Sequence, residues 1–389
     1  MERIAITERA DWRKKAEDGG FTIHSMYDAR YWDERHAYTF SSREVRERLA
    51  APTAELMSMC YQAAERIVED SELMSRMALP EAFHEAIRAS WRAGHKDLYG
   101  RFDLAYDGKG PAKLLEFNAD TASALFESAV FQCRWLEDVK ARGDVEMGAF
   151  QFSDIDERLR NAFSSLAADG DTFHFGVTMD AEEDLMTVNY LAECARAAGL
   201  VAKVINMGEF GVDAADWLTD LEDYRIQRFF KFYPIEEMMR DEFGGVLKTT
   251  PSRMFEPLWK VVLSNKGMLA VLWDMFPNHP NLLPCYFEDD TRASSLNGQH
   301  VRKPVYSRQG DNITITSDSL PGGKLETEGE ATEGPHVLQA VNFLPTFGDD
   351  HTLVGSWVVA GEPAGICILE DDGPVTGVMS RFVPHFVTP

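Results

Sequence analysis

The chain has 389 residues, of which 64 are acidic and 39 are lysine or arginine, so its formal net charge is -25. Such a chain is repelled by nucleic acid and by anionic membranes, and we expect neither as a partner. Five scattered cysteines without a C-x-x-C pair predict reduced thiols and argue against a disulfide framework or a zinc site. The N-terminus is too polar for a secretory signal, and no run approaches the roughly 18 apolar residues of a transmembrane helix, so we expect a cytoplasmic protein. The oligomeric state has no signal in the sequence.

Apolar spacing in the first half predicts helices over 42–70, 80–99 and 122–139. The segment 101–118 alternates in character on both sides of a turn rich in glycine and proline, which predicts a β-hairpin. An α/β unit follows at 173–206. Its predicted strand, helix and strand are 173–178, 184–198 and 201–206.

The second half consists mainly of strand-like segments after a short predicted helix at 265–276. The predicted strands are 301–306, 312–316, 337–340, 352–359 and 365–369. The polar stretch 317–334 predicts a loop or a mobile flap. The fold class is therefore α/β (α+β), and its two unlike halves suit a nucleotide held between lobes.

The hairpin at 101–118 carries the most informative pattern. Because side chains alternate between the two faces of a strand, Arg101 and Asp103 share one face of the first strand, whereas Glu116 and Asn118 share one face of the second. If Asp107 and Ala112 close the turn, Asp103 faces Glu116 and Arg101 faces Asn118. The Cβ atoms of such pairs lie only about 4.5–5.5 Å apart.

Two opposed carboxylates on one rigid face favour a cation between them, since like charges there destabilise the sheet. Carboxylate and amide oxygens are hard ligands that suit Mg²⁺, and Arg101 beside them could hold an anion. The alternative is a solvated polar face in which Arg101 neutralises the acids. The opposite face is predicted to be core and consists of Phe102, Leu104, Leu115 and Phe117.

Basic residues later in the chain are candidates for phosphate binding. Lys266 lies where a predicted helix begins, Lys303 lies in a strand, and the turn 307–312 contains Arg308 and Gly310. The alternative for each lysine is a solvated surface position. No G-x-x-x-x-G-K-[ST], G-x-G-x-x-G, H-E-x-x-H or G-x-S-x-G motif occurs, so a nucleotide site must be of another type.

The chain resembles the synthetase domain of glutathionylspermidine synthase, an ATP-grasp ligase family with a fold like glutathione synthetase. The resemblance runs in family order across nearly the whole chain. Its most specific parts are RFD at 101–103 with EFNADTAS at 116–123, and KPVYSRQGDN at 303–312. Further matches are DAEED at 180–184, SNKGML at 264–269 and LVGSWVV at 353–359.

The resemblance implies roles for individual side chains. Arg101 would stabilise the charge that develops when a substrate carboxylate is phosphorylated. The magnesium ligands would be Asp103, Glu116 and Asn118. The ATP contacts would be Lys266, Lys303, Arg308, Gly310 and Gln339. The contacts to a peptide-like acid would be Ser123, Glu183 and Asp184.

The implied function is an ATP- and Mg²⁺-dependent ligase that joins a glutathione- or peptide-like acid to a polyamine-like amine through an acyl phosphate. The implied organisation is an α/β core with the magnesium hairpin at 1–295, an ATP-grasp lid at 296–345, and C-terminal strands at 346–389 that return to the nucleotide site. Leu369 replaces an arginine frequent in the family, and Ile235 replaces an aromatic residue. Leu369 motivates an alternative, a non-catalytic nucleotide- or polyamine-binding protein on a degenerate ligase scaffold.

Overall fold

A four-stranded parallel sheet is built from strands between residues 172 and 255. The structure is a computed structural model that describes residues 1–26, 29–329 and 334–389. The strands lie in the order Arg253–Phe255, Arg228–Phe232, Thr172–Val177 and Val201–Asn206. Helix Glu182–Ala197 makes the crossover that parallel strands need. The predicted α/β unit is therefore confirmed, whereas the sequence pattern missed the two strands that precede it in this order.

The hairpin belongs to an antiparallel sheet, called the central sheet from here on. Its strands lie in the order Arg381–Val383, Glu362–Asp371, Asp350–Val359, Tyr99–Ala105 and Lys113–Asn118, and Thr346–Phe347 pairs with Asp350–Val359. The two predicted C-terminal strands at 352–359 and 365–369 are confirmed, and both are longer than predicted. The hairpin thus lies beside a strand from the other end of the chain.

The register of the hairpin is as predicted at its polar end and departs from the prediction toward its turn. Both polar pairs are confirmed: Asp103 lies opposite Glu116, and Arg101 lies opposite Asn118. A β-bulge then places Leu104 opposite Leu114 instead of Leu115. Leu115 lines a cavity on the polar face, so its predicted core position was wrong. Bulges of this kind redirect a side chain at the extra residue.

A five-stranded antiparallel sheet forms much of the second half. Its strands lie in the order Cys285–Phe287, His336–Ala340, His300–Pro304, Thr314–Thr316 and Lys324–Glu326. The strands predicted at 301–306, 312–316 and 337–340 are confirmed with small shifts. The polar stretch 317–334 is not all loop, because Lys324–Glu326 pairs at the sheet edge, and its residues 330–333 lie outside the described residues.

Helices cover both halves of the fold. Those of more than one turn include Trp12–Asp18, Ala51–Glu69, Ser71–Arg76, His84–Arg92, Gln132–Arg142, Ile155–Leu166, Glu182–Ala197 and Gly267–Met275. Shorter helical segments are Ser42–Glu44, Glu81–Phe83, Met207–Glu209, Ile235–Met238, Gly244–Lys248, Leu258–Lys260, Val261–Ser264, Thr291–Leu296 and Pro321–Gly323, and π-helical turns occur at Val45–Ala50 and Glu127–Phe131. In the described part of the chain, no helix is long and apolar enough to cross a membrane.

Two predicted helices are shorter than the apolar pattern indicates. The helix predicted to reach residue 99 ends at Arg92, because Gly94 has a φ of 63° and Tyr99 begins the central sheet. Helical structure after residue 122 begins only beyond Ala124, whose φ is 66°. Left-handed backbone is incompatible with a continuous right-handed helix. The second break leaves the residues that follow the hairpin, 119–124, at the edge of a cavity.

The remaining strands form small sheets. A three-stranded sheet has the order Glu2–Ala5, His36–Ser41 and His385–Thr388, so it joins the two ends of the chain. Two-stranded ribbons pair Ser25–Met26 with Ala29–Arg30 and Gly211–Val212 with Leu218–Thr219. Two large apolar clusters form the core. Phe102 and Phe117 of the hairpin, with ring centroids 4.0 Å apart, anchor it in one of these clusters.

Candidate active site

Two adjoining cavities lie where the central, parallel and five-stranded sheets approach one another. Their volumes are about 490 Å³ and about 90 Å³. Every residue that the sequence singled out for the site lines one of them. The larger cavity is lined by Arg101, Asp103, Glu116, Asn118, Ser123, Glu183, Asp184, Lys266, Arg308 and Gly310, and the smaller by Lys303 and Gln339. Asp103 and Glu116 border both cavities, so the hairpin lies at their junction.

Arg101 is held rigidly against the first hairpin strand. Its Nε donates to Asp103 Oδ1 at 2.7 Å and its Nη2 to Asp103 Oδ2 at 3.0 Å, while Nη1 donates to the Ser123 carbonyl at 2.8 Å. Asn118 Nδ2 also donates to Asp103 Oδ2, at 2.9 Å. The face predicted from strand alternation is therefore a connected polar network and not a solvated surface, since Arg101 and Asp103 are both buried.

The neighbouring strand Asp350–Val359 makes room for the guanidinium. A Cβ at Gly355 would lie 2.7 Å from Arg101 Cδ, closer than real side chains approach. On the same strand, the ring of Trp357 lies 5.5 Å from Arg101 Cζ, a distance at which a cation is attracted to the aromatic face. Gly355 leaves space for the Arg101 side chain and Trp357 attracts its guanidinium, so the two residues together fix the position of that cation.

The two hairpin carboxylates differ in their electrostatic surroundings. Burial raises the pKa of Asp103, and the charge of Glu116 adds to that effect although Arg101 opposes it. Burial would also raise the pKa of Glu116, but Lys266 and Lys303 outweigh it and the pKa is lowered. Glu116 therefore stays charged because cations surround it.

Lys266 connects the hairpin to the turn at 307–310. Its Nζ lies 3.1 Å from Glu116 Oε2 and donates to the Ser307 carbonyl at 2.7 Å. The lysine lies immediately before helix Gly267–Met275, which fixes its position at the cavity wall. Lys266 is thus one of the cations at the junction of the two cavities.

Lys303 and Gln339 lie together in the smaller cavity on neighbouring strands. Lys303 Nζ donates to Gln339 Oε1 at 2.7 Å and to the Leu115 carbonyl at 3.0 Å. Gln339 Nε2 donates to the Leu114 carbonyl at 3.2 Å. Burial lowers the pKa of Lys303 to about 8, against the opposing influence of Glu116. Apolar side chains complete this cavity, among them Val301, Ile313, Ile315, Leu344 and Leu353.

Arg308 points toward two acidic residues of the short helix Ile235–Met238. Its Nη1 donates to Glu237 Oε1 at 2.6 Å, and its Nη2 pairs with Glu236. Burial raises the pKa of Glu236, although Arg308 opposes the shift. Gly310 in the same turn has a φ of 75°, and a Cβ there would lie 2.5 Å from the Thr376 carbonyl oxygen. Only glycine fits this turn as it is folded here.

Glu183 and Asp184 lie in the first turn of helix Glu182–Ala197 and face the same cavity as Glu236. The pKa of Asp184 is raised to about 6 by burial and by the charge of Glu183, while Arg308 opposes the shift. Three carboxylates that line one cavity make it attractive to a cationic ligand.

The sequence reasoning missed several polar residues of the site. Lys231 is wholly buried and pairs with Asp120, which also accepts a 2.8 Å hydrogen bond from the backbone N–H of Ile235. A lysine within the aromatic strand Arg228–Phe232 was the available signal, since buried lysines are nearly always paired. Tyr31 lines the larger cavity and donates to Glu127. No local pattern marked that pair, because it joins distant parts of the chain.

Of the two departures from the family pattern, Leu369 lines the site, whereas Ile235 lines neither cavity. Leu369 lines the larger cavity and packs beside Leu344 and Leu353. The wall at this point is therefore apolar where a family arginine would be cationic. Ile235 is wholly buried, and its backbone N–H binds Asp120.

A solved structure shares this architecture. A glutathione synthetase-like effector from Globodera pallida, in its apo form, matches with a TM-score of 0.54 and 10% identity, covering 90% of this chain and 89% of that one. At this identity the likeness establishes the fold alone. The fold is that of glutathione synthetase-like proteins, consistent with ATP-grasp.

Sequence relatives cover most of the chain. A Haemophilus influenzae protein named "Putative acid--amine ligase" is 34% identical over 95% of this chain and 94% of its own length. Trypanothione synthetase of Crithidia fasciculata is 28% identical, and the bifunctional glutathionylspermidine synthetase/amidase of Escherichia coli is 27% identical. These two matches cover 89% and 91% of this chain but only 56% and 60% of the relatives.

Fold, site and relatives together define the class as ATP-dependent ligases that form carbon–nitrogen bonds. The family model described as glutathionylspermidine synthase preATP-grasp matches residues 3–388. The chain therefore belongs to the glutathionylspermidine synthase family, and it is an enzyme of this ligase class.

Proposed function

We propose that this protein uses ATP and Mg²⁺ to phosphorylate the carboxylate of a glutathione- or peptide-like acid, and then joins the acyl phosphate to a polyamine-like amine. The products are an amide, ADP and phosphate. The observation that carries the proposal is the opposed pair Asp103 and Glu116, with Arg101, Lys266 and Lys303 around it at one junction. The two carboxylates suit a metal ion, and the three cations suit phosphate groups. Together they suit a metal-bound triphosphate better than a group of carboxylates or of cations alone would.

The hairpin residues fit Mg²⁺ in the chemistry of their donors. Asp103 and Glu116 supply carboxylate oxygens and Asn118 supplies an amide oxygen, and Mg²⁺ in nucleotide enzymes usually binds one or two carboxylates together with substrate phosphates. Within the described residues, no three His, Cys, Asp or Glu side chains form a metal-binding group. When bound, the ion neutralises phosphate charge and orients the triphosphate.

The first step transfers a phosphoryl group. An oxygen of the substrate carboxylate attacks the γ-phosphorus, and the bond from that phosphorus to the bridging oxygen of ADP breaks. Arg101 keeps its charge at any working pH, and its fixed planar guanidinium stabilises the negative charge of the transferring group. Lys266 and Lys303 bind the other phosphates, and Gln339 contacts the adenine in the smaller, mostly apolar cavity.

The second step forms the amide. Glu236 attracts the ammonium group of the amine into the larger cavity, while Ser123, Glu183 and Asp184 contact the peptide-like acid. The amine nitrogen attacks the acyl carbon, and phosphate leaves with the electron pair of the broken carbon–oxygen bond. Holding both substrates in one cavity removes most of the entropic barrier of their encounter.

A lid at 296–345 excludes water while the acyl phosphate exists. Arg308 would then exchange Glu236 and Glu237 for the γ-phosphate, which also releases two carboxylates toward the amine. Exclusion of water matters because the acyl phosphate otherwise hydrolyses before the amine attacks it.

ADP release tests the proposal. The wild-type protein is incubated with ATP, Mg²⁺ and glutathione, with either spermidine or hydroxylamine as the nucleophile. We expect ADP, an amide with spermidine and a hydroxamate with hydroxylamine. Asp103→Asn should abolish all three products, whereas Glu288→Gln, outside both cavities, should leave them unchanged. ATP binding without any ADP release would instead identify a nucleotide-binding protein.

A further inference from the structure

Tyr31 and Glu127 form a buried pair beside the active site that the two steps above leave unused. Tyr31 lines the larger cavity, and its hydroxyl donates to Glu127 Oε1 at 2.7 Å. Glu127 is fully buried, and in the described part of the chain its Oε2 has no hydrogen-bond partner. A buried carboxylate oxygen without a partner is costly, so its retention calls for an explanation.

Other fully buried glutamates of this protein have a cationic partner. Glu34 Oε2 lies 2.7 Å from Arg9 Nη2, and Glu256 Oε2 lies 2.6 Å from Lys260 Nζ. Within the described residues, no such ion pair involves Glu127. A purely structural carboxylate would be stabilised by a cation, as the other two are. Glu127 instead lies in a π-helical turn, a distortion frequent at functional sites.

We propose that Tyr31 and Glu127 accept the proton that the incoming amine must lose before it attacks the acyl phosphate. The inference rests on the proposed function. An alkyl amine enters as an ammonium ion, with a pKa of about 10 by analogy with lysine, and has no lone pair for attack. The larger cavity carries acids that attract the ammonium ion, but attack requires the neutral amine.

The proton moves in two linked transfers. The ammonium N–H proton passes to the Tyr31 oxygen while the Tyr31 hydroxyl proton passes to Glu127 Oε1, so the tyrosine ends neutral and the glutamate protonated. The neutral amine attacks the acyl carbon, the bond to the phosphate oxygen breaks, and the second nitrogen proton leaves with the phosphate. Glu127 returns its proton to water when products depart.

The electrostatics of the pair suit this direction of transfer. Burial raises the pKa of Glu127 to about 7; the hydrogen bond from Tyr31 and the charge of Arg101 oppose the shift, whereas Glu183 adds to it. A carboxylate with that pKa is a far stronger base than an exposed one, yet is largely deprotonated above neutral pH. Burial also raises the pKa of Tyr31, so the tyrosine remains a hydroxyl and passes the proton on.

Hydroxylamine distinguishes acceptance of the ammonium proton from a structural or binding role of Tyr31 and Glu127. It is an uncharged nucleophile at neutral pH, so it needs no base before attack. The experiment compares Tyr31→Phe with wild type at pH 7.5, using ATP, Mg²⁺, glutathione and either spermidine or hydroxylamine. We expect amide formation with spermidine to fall by about a hundredfold and hydroxamate formation to change less than about threefold. Tyr61→Phe is the matched control, since it removes a hydroxyl that donates to Asp97 outside both cavities.

The pH profile gives a second readout that a structural role would not move. In wild type, amide formation with spermidine should rise with pH and level off above about 7, as Glu127 loses its proton. In Glu127→Gln the rise should move toward the pKa of the amine itself. Hydroxamate formation should persist in this variant, which shows that it is folded.

Two results would overturn the inference. An equal loss with both nucleophiles would give Tyr31 a general structural role, and an unchanged rate with spermidine would give it none. If wild type forms neither product, the proposed function itself fails. That outcome is distinguishable from failure of the Tyr31–Glu127 inference, because it is measured on wild type alone and does not depend on any variant.

Discussion

Arg101 and Asp103, two residues apart on one strand, form a two-point ion pair with hydrogen bonds of 2.7 and 3.0 Å. The same geometry occurs at the surface, where Arg302 donates to Glu288 at 2.7 and 3.1 Å. Arg101 is buried at a cavity junction, whereas Arg302 and Glu288 lie outside both cavities. Comparing the two ion pairs therefore distinguishes the general effect of changing a paired arginine from an effect specific to the cavity junction.

Arg101→Lys should lower turnover by about a hundredfold to a thousandfold, which corresponds to about 3–4 kcal/mol in the barrier, as for loss of one preorganised oxyanion donor. Lysine keeps the charge but cannot form the planar two-point contact. Turnover should fall much more than ATP affinity, because the contact is strongest in the transition state. Single-turnover amide formation and calorimetric ATP binding measure the two quantities.

Arg302→Lys is the control for this substitution, because it breaks an equivalent two-point pair away from the site. Its turnover should equal that of wild type, and its stability should change by less than about 1 kcal/mol, as for an exposed ion pair. An Arg101→Lys variant that keeps most of its turnover would return Arg101 to a structural role.

Glu116→Gln should lower Mg²⁺-dependent turnover by on the order of a hundredfold, because it removes one negative ligand without changing the side chain's size. The melting temperature should also fall. Sequence reasoning suggests the opposite, relief of repulsion from Asp103, but Lys266 and Lys303 lower the pKa of Glu116 and stabilise its charge. Loss of that charge leaves Lys266 without its ion-pair partner and removes the carboxylate whose charge favours the buried Lys303 cation.

The control is Glu288→Gln, which removes a carboxylate from the surface pair with Arg302. Its Mg²⁺ dependence should match that of wild type when turnover is titrated with the metal. If Glu116→Gln instead raises the melting temperature and keeps its turnover, repulsion outweighs the lysines and the carboxylate is no ligand.

ATP with Mg²⁺ should protect the lid from proteolysis. The segment around 307–334, of which 330–333 lie outside the described residues, is predicted to be the most mobile part of the unliganded chain, and Lys324 offers trypsin an exposed site within it. Cleavage after Lys324 should slow when nucleotide is added. Cleavage after Arg43, which is exposed on a helix in the first half, serves as the internal reference. Equal slowing at both positions, or at neither, would count against a lid.

The hairpin shows how far sequence alone predicts this site. Alternation along two strands was sufficient to place Asp103 opposite Glu116, because period-two geometry and a glycine-rich turn are local properties. The bulge at Leu115 was not predictable, since Leu115 packs against Leu344 and Leu353, which come from a distant part of the chain. The local alternation of residues therefore predicts which side chains face each other across two strands. The position of a β-bulge depends on packing with distant parts of the chain and is not predicted by that alternation.

The same limit applies to partners of charged residues. Lys231 was recognisable as unusual within an aromatic strand, but its partner Asp120 precedes it by more than a hundred positions. Arg308 lies in the predicted turn, yet its pairing with Glu236 and Glu237 depends on how the parallel and five-stranded sheets pack together. Resemblance to a family supplied the candidate residues of the site, while the structure was needed to show which of the charged ones pair with one another.

His385 should make the fold sensitive to acid. Its ring is fully buried against Phe40, and neither ring nitrogen has a hydrogen-bond partner among the described residues. Burial lowers the pKa of His385 to about 3, whereas an unfolded histidine titrates near 6.5. The unfolded state therefore binds a proton as the pH falls below about 6.5 while the folded state does not. Stability is complete above that pH and is lost progressively as the pH falls toward 3.

Replacing His385 with phenylalanine keeps an aromatic ring and removes the titration. Between pH 7.5 and 5.5, wild type should lose about 1.4 kcal/mol more unfolding free energy than His385→Phe, since one proton binds only to the unfolded wild-type chain over that range. Urea unfolding at both pH values measures the four free energies. Other titrating groups cancel in the comparison, because they are shared by the two proteins. Equal losses would mean that the folded protein accepts a proton at His385, and that the ring is not as isolated from polar partners as the structure indicates.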